Sequence, residues 1–274
     1  MRILIPTDFS KLSDFATIFA DKLKAIEAVE IHFLHVVEWG ETEFDATGNP
    51  VAGEGEDALF LAQRISSARQ KMNQLAEARA SNDAFHIQFG PRTKTIVKYA
   101  ETNHFDLIVM GTKGAQGLSR WLSGSETQHI ARQSQVPVLS LMCDRSDLDI
   151  KDILIVHDFM NQEAVKLPLL KILESGFNAT VHLLYVMTQN KPEEQIEAKM
   201  NEFAKINELK RTEVHIHIDR DVSSGITHFN QMNDMDLIVV GTEGRRGLGR
   251  LLKSSVAENL INNIYKPIIT YHLK

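Results

Sequence analysis

Short unbroken apolar runs alternate along this chain with longer stretches in which apolar residues return every three or four positions. Ile3-Leu4-Ile5, Ile31 to Val37 (IHFLHVV), Asp106 to Met110 (DLIVM) and Val136 to Met142 (VPVLSLM) are of the first kind. A strand with one wet face would alternate polar and apolar residues, so continuous runs predict strands buried on both faces, as in parallel sheets. Leu12, Phe15, Phe19, Leu23 and Ile26 form one helical stripe, and Leu61, Ile65, Ala68, Met72 and Leu75 form another. Strand and helix taking turns in this way predict βαβ units and an α/β fold.

The pattern then repeats. Ile3-Leu4-Ile5 with Asp8-Phe9 matches Ile153-Leu154-Ile155 with Asp158-Phe159, and His32, Leu34 and Val36 match His182, Leu184 and Val186, all at an offset of 150. FDLIVMGTKGAQGLSRWLSGS matches MDLIVVGTEGRRGLGRLLKSS at an offset of 130, pairing Gly111 with Gly241 and Pro137 with Pro267. The chain is a tandem duplication, with domains expected at 1–145 and 149–274 around a short polar boundary, DRSDLDIK. The fall in offset gives the first copy about twenty extra residues, supplied by Glu38 to Gln63. Rich in glycine and acid and without lysine or arginine, this stretch reads as a mobile surface loop, with a functional lid as the alternative.

Length supports the duplication, since 274 residues suit two domains of ordinary size. Thirty basic against thirty-six acidic residues leave a net charge of −6, which argues against nucleic acid as a partner. The one cysteine, Cys143, can make no internal disulfide, and neither a secretory leader nor a membrane-length apolar run is evident, so a cytoplasmic location is expected.

Gly111-Thr-Lys-Gly114, followed after nine residues by Gly124-Ser125, stands directly after the DLIVM strand. Ligands of open α/β sheets bind at the carboxyl ends of strands, where glycines let the backbone approach a pyrophosphate and exposed N–H groups hold its charge. Ser125-Glu126-Thr127-Gln128 has capping-box spacing, which would start a helix at Ser125 and aim its free N–H groups at the same place. The plainer reading is a tight strand-to-helix connection. Neither a Walker A loop nor a G-x-G-x-x-G pattern is present. Asp8 and Asp158 end the first strand of each copy, where a carboxylate could accept from a ribose or an adenine amine, or could merely form an Asx turn into the next helix.

PTDFS after the first strand, LHVVE at the second, and DLIVMGTKG with nine residues before Gly124-Ser125 resemble the universal stress protein family in its tandem form, across nearly the whole chain. The resemblance implies two doubly wound parallel five-stranded sheets of order 3-2-1-4-5, of the adenine-nucleotide alpha-hydrolase-like type. It implies ATP or ADP, with or without Mg, at the switch point of the first copy. Pro6, Thr7 and Asp8 would border the adenosine, Val36 would offer backbone atoms to adenine, and Met110 and Gly111 would lie against the ribose. Gly114, Gly124, Ser125 and Thr127 would hold phosphates. It also implies an intramolecular pseudo-dimer, with a further homodimer as an extension. The apolar edge strands at 136–142 and 267–272 are the expected contact.

The second copy departs from this pattern. Val156-His157-Asp158 replaces Pro6-Thr7-Asp8, and Ser254-Ser255 stands where Gly124-Ser125 stands. A weaker second site is therefore expected, formed by Asp158, Val186, Gly241, Gly244, Ser254 and Ser255. His215 and His217 share one face of a strand-like VHIHI, yet no third ligand follows at a recognisable spacing, so no metal site is expected. His32 and His182 read as packing residues. The leading function is a nucleotide-binding stress or signalling protein. The alternatives are a nucleotide-free adaptor for a lipid or other small molecule, and a slow ATPase, since no catalytic base accompanies the glycines.

Overall fold

The computed structural model describes residues 1–26, 28–38, 43–44, 50–51, 56–79, 82–111, 124–141, 149–159, 167–243, 264 and 266–273. The first copy runs β1 (Arg2–Pro6), α1 (Lys11–Ile26), β2 (Glu30–Val37), the short β3 (Glu43–Phe44) and β4 (Pro50–Val51), α2 (Glu56–Ala78), β5 (Ala84–Phe89), α3 (Arg92–Thr102), β6 (Leu107–Gly111), α4 (Gly124–Gln133) and β7 (Val138–Leu141). The second runs β8 (Asp152–Val156), α5 (Pro168–Phe177), β9 (Thr180–Met187), α6 (Glu193–Ile206), β10 (Thr212–Ile218), α7 (Val222–Asn233), β11 (Leu237–Glu243) and β12 (Ile268–Leu273).

The strands of one copy lie in the order β5-β2-β1-β6-β7 and those of the other in the order β10-β9-β8-β11-β12, all parallel within a copy. Both orders are 3-2-1-4-5, as expected. β7 and β12 then pair antiparallel, Ile268 with Ser140, Ile269 with Leu139 and Thr270 with Val138, joining the copies into one ten-stranded sheet. Its strand order is the same from either end, which makes the Leu139–Ile269 pair the centre of an approximate two-fold. Each copy thus covers the apolar edge that would otherwise be left open on the other.

Alternate residues of each strand feed opposite faces, which is why the runs are apolar throughout. Ile3 and Ile5 share one apolar layer with Phe19 and Leu23 of α1, and that layer runs on into the second copy through Leu173 of α5 and Phe203 of α6. Leu4 faces the other way, into a layer built by Ile96 of α3, Ile130 of α4 and Ile226 of α7.

The stretch from Glu38 to Gln63 differs from the loop expected there. α2 begins at Glu56, so the last eight of those residues are helical, and Glu43-Phe44 pairs antiparallel with Pro50-Val51. At 23 residues against 14 for α6, α2 takes up nine of the surplus. Past Gly55 the sequence is Glu-Asp-Ala-Leu-Phe-Leu-Ala-Gln, without glycine or proline, and mostly favours a helix.

Candidate functional site

β1 pairs in parallel with β2 on one side and with β6 on the other, Ile3 opposite Leu107 and Leu4 opposite Ile108. Chain order reverses between β1 and β6, so this is the switch point of the first copy, and it brings Pro6-Thr7-Asp8 and Met110-Gly111 to one edge of the sheet. Val36 lies two residues beyond Leu34, the partner of Pro6. Val36 and Met110 are fully buried in one apolar cluster, so main chain is what they can offer a ligand.

The turn after β1 is held from within. Thr7 Oγ1 accepts from Phe9 N–H at 2.9 Å, and its hydroxyl donates to Ser13 Oγ at 3.1 Å. Asp8 Oδ1 accepts from Ser10 N–H at 3.0 Å, the bond of an Asx turn, so the local role weighed for Asp8 is present and occupies one of its two oxygens. Phe9 adopts φ 63°, uncommon for a bulky side chain, and its ring lies 4.7 Å from that of His35. His35 Nδ1–H donates to the Thr7 carbonyl at 2.8 Å, and burial lowers its pKa, which keeps the imidazole neutral. Beside this turn a cavity of about 390 Å³ is lined by Asp8 and His35 and by Arg64, Ser67 and Lys71 of α2. A second, of about 360 Å³, is lined by Thr7, Ser13, Thr17 and Lys71. Met110, Gly111 and Thr127 line neither one.

Gly111 has a steric reason to be glycine. A Cβ there would stand 1.8 Å from the Leu12 carbonyl oxygen, because the first turn of α1 crosses the end of β6. Gly114 lies outside the described residues. α4 begins at Gly124, so Ser125 sits inside the first turn and not at the capping position its spacing suggested; the free N–H groups are those of the first turn from Gly124 onward. Thr127, in that turn, is fully buried, and its Oγ1 has no hydrogen-bond partner among the described residues.

The amino end of α4 is fixed by a residue that sequence reading passed over. Arg92, at the start of α3 and buried, pairs through Nη1 with Glu126 at 2.8 Å and through Nη2 with Glu38, beyond the end of β2. Thr93 adds a 2.8 Å hydrogen bond to the other oxygen of Glu126. The glutamate of LHVVE and the arginine of GPRT were visible in the sequence, but 54 residues separate them.

In the second copy Asp158 follows β8 and is half-buried, Val186 is buried in β9, and Gly241 is buried within β11. Gly244, Ser254 and Ser255 lie outside the described residues. The position of Thr7 is filled by the ring of His157, which lies 5.1 Å from Phe159 and 5.3 Å from Phe203, with Nδ1 3.2 Å from the Tyr271 hydroxyl. Burial drives the His157 pKa down to about 4. Burial also pushes the Tyr271 phenol well above its usual range. Aromatic side chains thus occupy the second switch point where a small hydroxyl stands in the first.

Two doubly wound α/β halves, each with an aspartate at its switch point and joined edge to edge, define the structural class. Comparison with known proteins is specific: a sequence model of the Universal stress protein family matches residues 1–141 and 150–272. The chain belongs to that family. Half of it is 31% identical, over 139 residues, to Universal stress protein MJ0531 of Methanocaldococcus jannaschii, covering 79% of that protein. Universal stress protein MJ0577 of the same organism is 26% identical over 149 residues, which cover 50% of this chain and 92% of the relative. In overall shape the chain is similar to a universal stress protein from Archaeoglobus fulgidus, with TM-score 0.74 and 19% identity over 99% of this chain and 98% of the other.

Proposed function

We propose that the first copy binds an adenine nucleotide, ATP or ADP, across the crevice between β1 and β6, and that occupancy sets the signalling state of a stress-response protein. The single observation that carries this reading is Thr127. A buried hydroxyl without a partner costs stability unless something bonds to it, and this one lies in the first turn of a helix whose free N–H groups favour an anion. In this reading the adenine meets Val36 main chain, the ribose lies by Met110 and Gly111, and the phosphates lie at the amino end of α4 with Gly114, Gly124, Ser125 and Thr127. The second Asp8 oxygen accepts from the nucleoside. Arg92 fixes α4 in place through Glu126 and is a positioning residue. The proposed second site, at Asp158, Val186, Gly241, Gly244, Ser254 and Ser255, is the weaker of the two, since the aromatic cluster around His157 narrows it.

Calorimetric titration of the untagged full chain with ATP, ADP and AMP tests the proposal. Asp8→Ala should weaken binding about tenfold, the loss of roughly one charge-assisted hydrogen bond. Thr127→Val should weaken it while leaving the protein as stable or more so, because the unpartnered hydroxyl is gone. The reading fails if none of the three nucleotides binds at millimolar concentration, or if neither substitution changes the affinity.

A further inference from the structure

At the amino end of the sheet, opposite the switch points, both copies place two imidazoles side by side. In the first, His32 Nδ1 of β2 lies 3.1 Å from His86 Nε2 of β5, with the rings stacked. In the second, His182 Nδ1 of β9 lies 3.0 Å from His215 Nε2 of β10. The strand registers coincide, since His86 pairs with Leu34 and His215 with Leu184. Packing therefore accounts for the pair itself but not for what surrounds it, which differs between the copies.

Opposite His182 stands Glu213, where Ala84 stands opposite His32. Glu213 Oε2 lies 3.5 Å from His182 Nδ1 and 3.7 Å from His215 Nε2. The position of Arg2 in the first copy is held in the second by Asp152, whose Oδ1 accepts from His182 Nε2–H at 2.9 Å. That bond puts the proton of the neutral imidazole on Nε2 and turns the Nδ1 lone pair towards His215 and Glu213. In the first copy Arg2 lies over Phe105 and pairs with Glu30, a carboxylate that approaches the far nitrogen of His32 at 3.7 Å.

Three donor atoms at mutual distances of 3.0, 3.5 and 3.7 Å form a triangle close to one face of a zinc tetrahedron. With bonds of about 2.0–2.2 Å that face has edges of about 3.3–3.6 Å, so the imidazoles need to part by only a few tenths of an ångström. We propose that the second copy carries a divalent transition-metal site of the zinc class, in which His182 Nδ1, His215 Nε2 and a Glu213 carboxylate oxygen are ligands and Asp152 orients His182. The cation takes the place of the proton shared between the two rings, and the Nε2 proton of His215 moves to its Nδ1. His182 is nearly buried while the Glu213 side chain is 59% exposed, so a hydrated ion enters past Glu213 and keeps water as its fourth ligand. The carboxylate–histidine–metal order, Asp152 behind His182, is the usual support for such a ligand.

A competing cluster lies further along β10 and on α7: His217, Asp219 and His228. There His228 Nδ1–H donates directly to Asp219 Oδ2 at 2.6 Å, the same oxygen that faces His217 Nε2 at 3.6 Å. The test is titration of the untagged full chain with zinc chloride against a chromophoric chelator, repeated with cobalt, whose visible bands report four-coordination. One zinc per chain should bind. Asp152→Asn should weaken binding about ten- to a hundredfold, Glu213→Gln at least as much, and His215→Phe should abolish it. His32→Phe and His217→Ala should leave it unchanged. Because Glu213 is a surface residue, its substitution leaves the fold intact. No zinc bound at a hundredfold molar excess overturns the proposal, as does binding that is indifferent to Glu213→Gln or lost in His217→Ala.

Discussion

Gly111→Ala is expected to destabilise the protein by more than about 3 kcal/mol, the upper range for overpacking a rigid site. The Cβ would stand 1.8 Å from the Leu12 carbonyl oxygen and 2.5 Å from its carbon, and both atoms are backbone in the first turn of a buried helix. Relief therefore requires α1 to slide off β6, breaking the layer formed by Ala16, Phe19, Ala20 and Leu23. Gly241→Ala is the internal control. There the three atoms nearest the new Cβ all belong to the Tyr271 side chain, at 2.9–3.3 Å, so a ring can shift where a helix cannot, and about 1–2 kcal/mol should suffice. Urea denaturation of the two variants decides the matter. Equal losses, or a Gly111→Ala protein within about 1 kcal/mol of the parent, would show that α1 yields at this crossing. A Gly111 variant that lost nucleotide binding would therefore say little about the ligand, and Asp8→Ala and Thr127→Val are the informative substitutions.

The fold was legible because the chain states it twice. Apolar runs marked the central strands, their lack of alternation implied burial on both faces, and the two offsets aligned the copies. The pairing of β7 with β12 followed from the same physics, since two apolar edges ending two copies need a partner. The start of α2 was not legible. Its opening turns carry Leu59 and Phe60, 66% and 57% exposed, so no stripe marks a buried face there, and the glycines and acids upstream disguise the helix start. Ser125 shows the limit of a spacing rule, because a helix beginning one residue earlier moves the same serine from cap to first turn.

The positions of the candidate site were legible where they are strand ends and illegible where they depend on contacts distant in sequence. Pro6-Thr7-Asp8, Val36 and Met110-Gly111 stand at one sheet edge because parallel strands of similar length end together. The reason for Gly111, the approach of Leu12 from α1, has no signature in the GTKG segment itself. Arg92 and His35 were invisible for the same reason, their partners being set by tertiary packing. His86 could have been found. FHIQF aligns with VHIHI at an offset of 129, one short of the 130 that holds for the segment after it, which puts His86 at the position of His215, and the paired imidazoles follow from two strands known to be neighbours.

The stability of the protein should fall by about 2–3 kcal/mol between pH 7.5 and pH 4.5 through His157 alone. Burial among Phe159, Phe203 and Tyr271 holds this imidazole neutral, with its pKa lowered from 6.5 to about 4. The unfolded chain takes up a proton near pH 6.5, which the folded chain resists until about pH 4. Between these values the unfolded state binds more protons, so stability rises with pH. The contribution is complete above about pH 6.5, declines as pH falls towards 4 and is spent below it. Burial also lowers the pKa values of His35, His86 and His215, so the parent protein will show a steeper total slope than His157 supplies. The difference between the parent and His157→Phe isolates the single residue, because phenylalanine keeps a ring in the cluster and does not titrate. Urea denaturation at pH 7.5 and 4.5 should give a loss that is smaller in His157→Phe by about 2–3 kcal/mol. An identical loss in both proteins would mean that His157 reaches water in the folded state, and that the second switch point is open enough to admit a ligand as readily as the first.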